Sequence, residues 1–285
     1  MNEVFWAVAL HVFNQIETAR IEAIKTAINS LPEASHIMAA MGEREIMRKQ
    51  DNIAIIDISG LMMRNPGIFE QVFMGATDTN AILAAVNAAG SDSGVDKVLL
   101  NISSPGGAVA GTSELGDAVA AVNAVKPVTA YTPDICASAA YWVASQAGKI
   151  YANPSAIVGS IGVRMALYDT SKAYEQAGIK AIPIDSGKFK SAGSPGTEIT
   201  EEQIQMFQDI VTEHFARFAS AVKTGRGMSD NKFVAVADAQ ILSADKAKSA
   251  GLIDGVSTIA EVMKGLLRKQ AGRNTSVNRA RLAII

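Results

Sequence analysis

Residues 97 to 107 read Lys97-Val98-Leu99-Leu100-Asn101-Ile102-Ser103-Ser104-Pro105-Gly106-Gly107, and this stretch decides the fold class. Its first six residues form a short apolar run with the length and branching of a buried strand. A Ser/Gly-rich turn follows at once, and Ala108 to Val125 then has the small-residue composition of a helix. Working back along the chain, Ile53-Ala54-Ile55-Ile56-Asp57-Ile58 is an equivalent strand bounded by Asn52 and by Ser59-Gly60. Between the two strands, Asp78 can cap a helix that carries Ile82, Leu83 and Val86 and stops near Gly90. Working forward, Pro127 to Tyr131 is a third strand and an Ala-rich helix follows Ser138. Further strands fall near Ile150 and Val163, a helix at Ser171 to Gln176, and a strand at Ala181 to Ile184. Such alternation predicts an α/β fold with a parallel sheet and right-handed crossovers. In these sheets the chemistry sits where loops leave the carboxyl ends of the strands.

The flanks differ from this core. Residues 1 to 50 are predicted to be a helical extension, in which Phe5, Ala9, Val12, Phe13 and Ile16 recur at helical spacing and a charged stretch from Glu43 to Gln50 closes the segment. Residues 51 to 265 form the main domain. Within it, Thr200 followed by Gln203 is a helix start, and Ile204, Phe207, Ile210, Val211, His214, Phe215 and Phe218 make one apolar stripe before Gly225. Short helices are expected around Asn231 to Val236 and Ser243 to Ala250. Residues 266 to 285, rich in basic side chains, are expected to form a flexible tail.

Composition removes several classes of function. The 285 residues hold 26 Lys plus Arg against 28 Asp plus Glu, a formal charge of −2, with 48% hydrophobic residues. That excludes a disordered chain and gives no basic field for nucleic acid. The apolar run Val4 to Phe13 is far shorter than the roughly 20 residues of a bilayer span, and no secretory leader is expected. The lone Cys136 cannot form an internal disulfide. The zinc, phosphate-loop and dinucleotide motifs are missing, so no cofactor and no metal is expected. The nucleophile-elbow pattern Gly-x-Ser-x-Gly is missing too. None of the three histidines, His11, His36 and His214, falls in a loop at a strand end, where a Ser-His-Asp triad would need one.

What remains is a set of Ser- and Gly-rich segments at strand ends. Ser103 to Gly107 is an ordinary Pro-Gly-Gly turn or a backbone shaped to present amide hydrogens to an oxyanion. Ser138, in Cys136-Ala137-Ser138-Ala139-Ala140-Tyr141-Trp142, stands at a helix start, as an N-cap serine or as a group set on the positive end of the helix dipole. Cys136 reads as a small buried hydrophobe rather than a thiol nucleophile. Tyr141 and Trp142 read as core.

Taken in order, the Pro-Gly-Gly segment, Ala137-Ser138-Ala139-Ala140-Tyr141-Trp142, Ser155 to Val163 and Ser186 to Pro195 resemble the signal peptide peptidase family of Ser–Lys proteases. Within it they are most similar to the phage-type capsid-assembly (prohead) proteases. The resemblance spans about residues 52 to 262 and closes with Ile241 to Asp254. It implies a Clp/crotonase-like fold of ββα units, with Ser138 as nucleophile and Lys190 as general base. The amides of Gly107 and Ala139 would form the oxyanion hole, and Ser160 would orient the lysine. Lys188 and Lys190 compete for the base, and the spacing to Ser194-Pro195 in the family pattern selects Lys190. Many relatives carry Gly-Gly after the serine where this chain has Ala139-Ala140, which narrows the space beside the nucleophile.

A lysine base must be neutral, and moving an amine from about 10.4 to about 7 costs on the order of 4–5 kcal/mol, which requires burial and a hydrogen bond. The implied partners are peptide or protein substrates, among them phage scaffold or portal proteins, and further copies of the chain in a ring. The implied location is the host cytoplasm or the prohead. The competing functions are a bacterial peptidase of signal-peptide fragments, a crotonase-type acyl-CoA enzyme and a catalytically silent assembly protein.

Overall fold

In a computed structural model, the structure describes residues 45–67, 70–71 and 74–268. The helix expected at the N-terminus, His11, His36 and nearly all of the basic tail lie outside the described residues. The chain divides at Glu45, and the second unit, from Ile46 onward, carries every element discussed below.

Ten strands and eight helices are labelled here among the described residues. The strands are β1 Met47–Gln50, β2 Ile53–Met63, β3 Thr77–Asp78, β4 Lys97–Gly107, β5 Val128–Thr132, β6 Ile135–Ala137, β7 Lys149–Ala152, β8 Ile157–Gly159, β9 Ile241–Ser243 and β10 Gly255–Val256. The helices are α1 Thr79–Ser91, α2 Thr112–Val125, α3 Ala139–Ala144, α4 Ser171–Gln176, α5 Glu201–Arg226, α6 Asp230–Val234, α7 Ala244–Ser249 and α8 Ile259–Arg268. The result is a mixed α/β fold with a mostly parallel sheet, antiparallel only where β1 meets β2 and where β8 meets β9.

β4 organises the sheet. Its first half lies between β2 and β5, with Leu100 paired to Ile56 on one side and to Ala130 on the other. Its second half keeps β2 but exchanges β5 for β6, through Ser104 opposite Cys136, and β6 leads on to β8 and β9. Alternation sends Val98, Leu100 and Ile102 into the main core with α1, α2 and α3, while Leu99 joins Ile53, Ile55 and Tyr131 beneath Val262 of α8. The central strand is thus apolar on both faces, as a parallel sheet covered on both sides requires.

Several sequence expectations hold. Asp78 caps α1 by accepting from the Asn80 amide, and Thr200 with Gln203 forms a full capping box at α5. Others need correction. Met47–Gln50, expected at the end of a helical segment, is a strand zipped against β2. Ser103 to Gly107 is not a turn after the strand but the end of β4 itself. Val163 lies beyond the end of β8, and Ala181 to Ile184 forms no strand; Ile182 and Ile184 are 72% and 95% exposed, with no strand among the described residues to pair them. α5 does not stop before Gly225. That glycine is where the helix passes close to α3, since a Cβ there would sit 2.1 Å from the Ser145 carbonyl oxygen, and the helix closes instead at the left-handed Gly227. The stripe on α5 is also only partly covered. Phe218 is buried and stacks on Trp142 at 4.8 Å between ring centroids, whereas Ile204 and Ile210 are exposed.

Candidate active site

Three strand ends converge on Ser138. The residue joins β6 to α3 with φ 52° and ψ −125°, a backbone conformation that non-glycine residues rarely adopt. Its amide donates to the Gly159 carbonyl at 2.9 Å, and its own carbonyl accepts from the Trp142 amide at 2.9 Å. Although it stands at the N-cap position, its side chain makes no capping hydrogen bond and has no hydrogen-bond partner among the described residues. A serine that served only as a cap would adopt an extended backbone and bond to the first turn. Here the strain is borne and the half-buried hydroxyl is left uncommitted. This is the strand–turn–helix shape of a nucleophile elbow, built with Cys136 and Ala140 where that motif has glycines.

The end of β4 lies against this turn. A bulge gives β4 one more residue than β2 between the pairs Ser59–Ser103 and Leu61–Gly106, and Pro105, which has no N–H to offer a ladder, sits inside it. Gly106, at φ 106°, packs so closely that a Cβ on it would lie 2.7 Å from Ser138 Cβ and 3.0 Å from the Ala139 amide nitrogen. Gly107 is pressed against the Met62 backbone, where a Cβ would fall 1.9 Å from the carbonyl oxygen. Both glycines are therefore demanded by close backbone approach. Ala139 opens α3, where the first helical amides have no partner within the helix.

Ser160 also stands near. β6 and β8 run side by side with Ala137 opposite Gly159, so Ser138 and Ser160 each follow a paired residue. Ser160 too has a positive φ, 53°, and its amide donates to the Gln240 carbonyl at 2.7 Å. The loop before β9 thus holds the Gly159–Ser160 turn, and the Gly159 carbonyl holds Ser138.

Lys190 is not brought into this arrangement by a hydrogen bond. It is exposed and its side chain has no hydrogen-bond or ion-pair partner among the described residues. The surrounding stretch, 164 to 200, contributes no buried residue. Lys188 pairs with Glu202 on the first turn of α5 and lies over the Phe189 ring. Cys136 is fully enclosed, and burial pushes its thiol well up, against any role as a thiolate. Tyr141 donates to the Leu252 carbonyl at 2.8 Å and Trp142 is buried, so both are core as expected. His214 is half-buried on α5. No group of His, Cys, Asp and Glu suited to a metal occurs among the described residues.

Sequence reasoning missed Ser104, which is fully buried under the bulge. The signal was available: Ser104 follows Leu100 and Ile102 in the core-facing phase of the strand, where a hydroxyl must find partners.

An α/β chain with a strained serine at a strand-to-helix turn, flanked by a glycine pair on the neighbouring strand, has the frame of a hydrolase that works through a serine. The comparisons narrow this. Residues 120–272 match the model of peptidase family S49, and the chain belongs to that family. It is 37% identical over 175 residues to a protein of Methanocaldococcus jannaschii named as a candidate protease, covering 61% of this chain and 56% of that one. It is 33% identical over 204 residues to capsid assembly protease C of Escherichia phage lambda, covering 72% and 46%. To the head-tail preconnector protein GP5 of Enterobacteria phage P21 it is 30% identical over 226 residues, covering 79% and 44%. The chain spans about half the length of the curated relatives it matches.

Proposed function

We propose that this chain is a serine endopeptidase that cleaves extended peptides through an acyl-enzyme. Ser138 Oγ attacks the scissile carbonyl carbon while the neutral Lys190 amine takes its proton. The amides of Gly107 and Ala139 hold the oxyanion. The C–N bond then breaks, the proton passes from Lys190 to the leaving amine, and water repeats the sequence on the ester to release Ser138. Ser160 orients the lysine amine. The observation that carries this reading is Ser138 itself, strained at φ 52° with its hydroxyl uncommitted beside Gly106.

The exposure of Lys190 supports a second element. A general base of this kind works when buried, so in this reading the dyad is completed by a second copy of the chain, whose surface covers the exposed Lys190 against Ser138. The exposed apolar residues Met165, Tyr168, Ile179, Ile182, Ile184, Ile204 and Ile210 supply a surface for such a ring.

The split of β4 between two sets of partner strands supports the Clp/crotonase-like assignment, with residues 51–265 as the peptidase domain. The capsid assembly relative supports head proteins as substrates during phage maturation, with the enzyme in the host cytoplasm or prohead. No helix among the described residues is long and apolar enough to cross a membrane. Digestion of casein, together with labelling of Ser138 by a fluorophosphonate, tests the reading. Activity and labelling that both vanish in Ser138→Ala support it, and digestion that persists in Ser138→Ala refutes it.

A further inference from the structure

The β4 bulge interrupts the ladder to β2 at the point where the strand must reach Ser138, and one side chain restores the connection. Ser104 is fully buried. Its hydroxyl donates to the Gly60 carbonyl at 2.6 Å and accepts from the Gly106 amide at 3.1 Å. It thus replaces by side chain a link that backbone pairing cannot make across the extra residue. Gly60 is itself immobilised, at φ 69° with its Cα packed on the Gly75 carbonyl so tightly that a Cβ would fall 1.8 Å from that oxygen. One end of the clasp is therefore anchored in β2, and the other holds the residue that touches Ser138 and Ala139.

We propose that Ser104 is a positioning residue for the peptidase reaction. Through Gly106 it fixes where the Gly107 amide stands relative to Ser138, so its hydroxyl sets the geometry of the oxyanion donors without touching substrate. The proposal rests on the serine-peptidase reading above. A donor that is misplaced weakens a contact made fully only in the transition state, so the loss falls on kcat and leaves KM in place. A residue serving the fold alone would lower the melting temperature and the folded fraction, and would leave kcat per folded molecule unchanged.

The test compares Ser104→Ala, Ser104→Thr and Ser104→Val in the full chain by steady-state digestion of labelled casein, with thermal melts alongside. Thr and Val fill the same volume and differ in the hydroxyl, so the pair separates the clasp from steric effects. Ser104→Ala is expected to lose tenfold or more in kcat with KM within twofold of wild type. Ser104→Thr is expected to exceed Ser104→Val by at least fivefold in kcat per folded molecule. Equal kcat in the Thr and Val variants, or a folded Ala variant within twofold of wild type, overturns the proposal. So does a loss confined to KM. If Ser104→Ala does not fold, the Thr and Val comparison decides. Ser138→Ala is run in parallel: digestion surviving there sinks the serine-peptidase reading and the clasp with it. A dead Ser138→Ala beside fully active Ser104 variants sinks the clasp alone.

Discussion

Replacing Gly106 with alanine tests the packing of β4 against the Ser138 turn. The added methyl carbon would lie 2.7 Å from Ser138 Cβ, 2.9 Å from the Ala137 carbonyl oxygen and 3.0 Å from the Ala139 amide nitrogen. Carbon atoms pack at about 3.5–4.0 Å, so strand and turn must separate by roughly 1 Å. The backbone adds its own cost, because φ 106° is open to glycine and costs an L residue of order 1–3 kcal/mol. At about 2–4 °C per kcal/mol for a domain of this size, the melting temperature should fall by roughly 2–12 °C, leaving the protein folded at 25 °C. Activity should suffer far more. A displacement of about 1 Å in a catalytic group costs on the order of 100-fold, and here it separates Ser138 from the proposed Gly107 donor on β4. The assay is kcat/KM on labelled casein at 25 °C beside a thermal melt of the same preparation. A Gly106→Ala protein that melts within 2 °C of wild type and keeps more than half its kcat/KM would refute the argument from close approach.

Three further outcomes are expected. Ser138→Ala and Lys190→Ala should each reduce casein digestion to background with unchanged melts, while Lys188→Ala, which loses an exposed pair with Glu202 and a contact with the Phe189 ring, should keep most activity; an active Lys190→Ala with a dead Lys188→Ala would reassign the base. When Ser138→Ala and Lys190→Ala proteins are unfolded together and reassembled, partial activity should return, because some interfaces then join an intact serine to an intact lysine; mixed oligomers without activity would place the dyad within one chain. Burial alone would raise the Asp254 pKa, but hydrogen bonds from Lys149, the Ile150 amide and Arg226 outweigh it and hold the carboxyl below its ordinary value. A depressed carboxylate stabilises the fold above its unfolded value near 3.9 and ceases to do so as pH falls through the folded one. Asp254→Asn should therefore cost about 1–2 kcal/mol in urea unfolding at pH 7, and the gap to wild type should close as pH falls through the depressed folded value; a gap independent of pH would show that the charge is irrelevant.

The β/α alternation from Ile53 to Ala144 was legible because each element there buries an apolar face within its own domain. Val98, Leu100 and Ile102 could be read as strand, and Asp78 as a cap, from the residues alone. One group of expectations failed where burial among the described residues is missing. Ala181 to Ile184 has the composition of a strand, yet no strand among the described residues pairs with it, and the upper half of the α5 stripe, with Ile204 and Ile210 exposed, is apolar without being covered by them. Ile182, Ile184, Ile204 and Ile210, exposed in spite of that pattern, all fall in 164–215, the stretch that carries Lys190. An amphipathic pattern reports that a face wants covering, without saying whether the same molecule provides the cover.

The site was legible to a different degree. Ser138 could be placed at a helix start, but a cap and a nucleophile share that position in sequence, and only the backbone separates them: the positive φ and the absent capping bond have no signature in residue order. The elbow motif was sought by its glycines, and this chain satisfies the same steric demand differently. Small residues at Cys136 and Ala140 flank the turn, and the glycine that matters most is Gly106, on another strand and 32 positions earlier in the chain. The motif describes one local solution to the problem of turning a strand sharply into a helix around an exposed hydroxyl. A bulge that holds a glycine against the turn is another. A long-range solution of this kind can be inferred from one sequence only through a polar residue that occupies the core-facing phase of its strand, as Ser104 does.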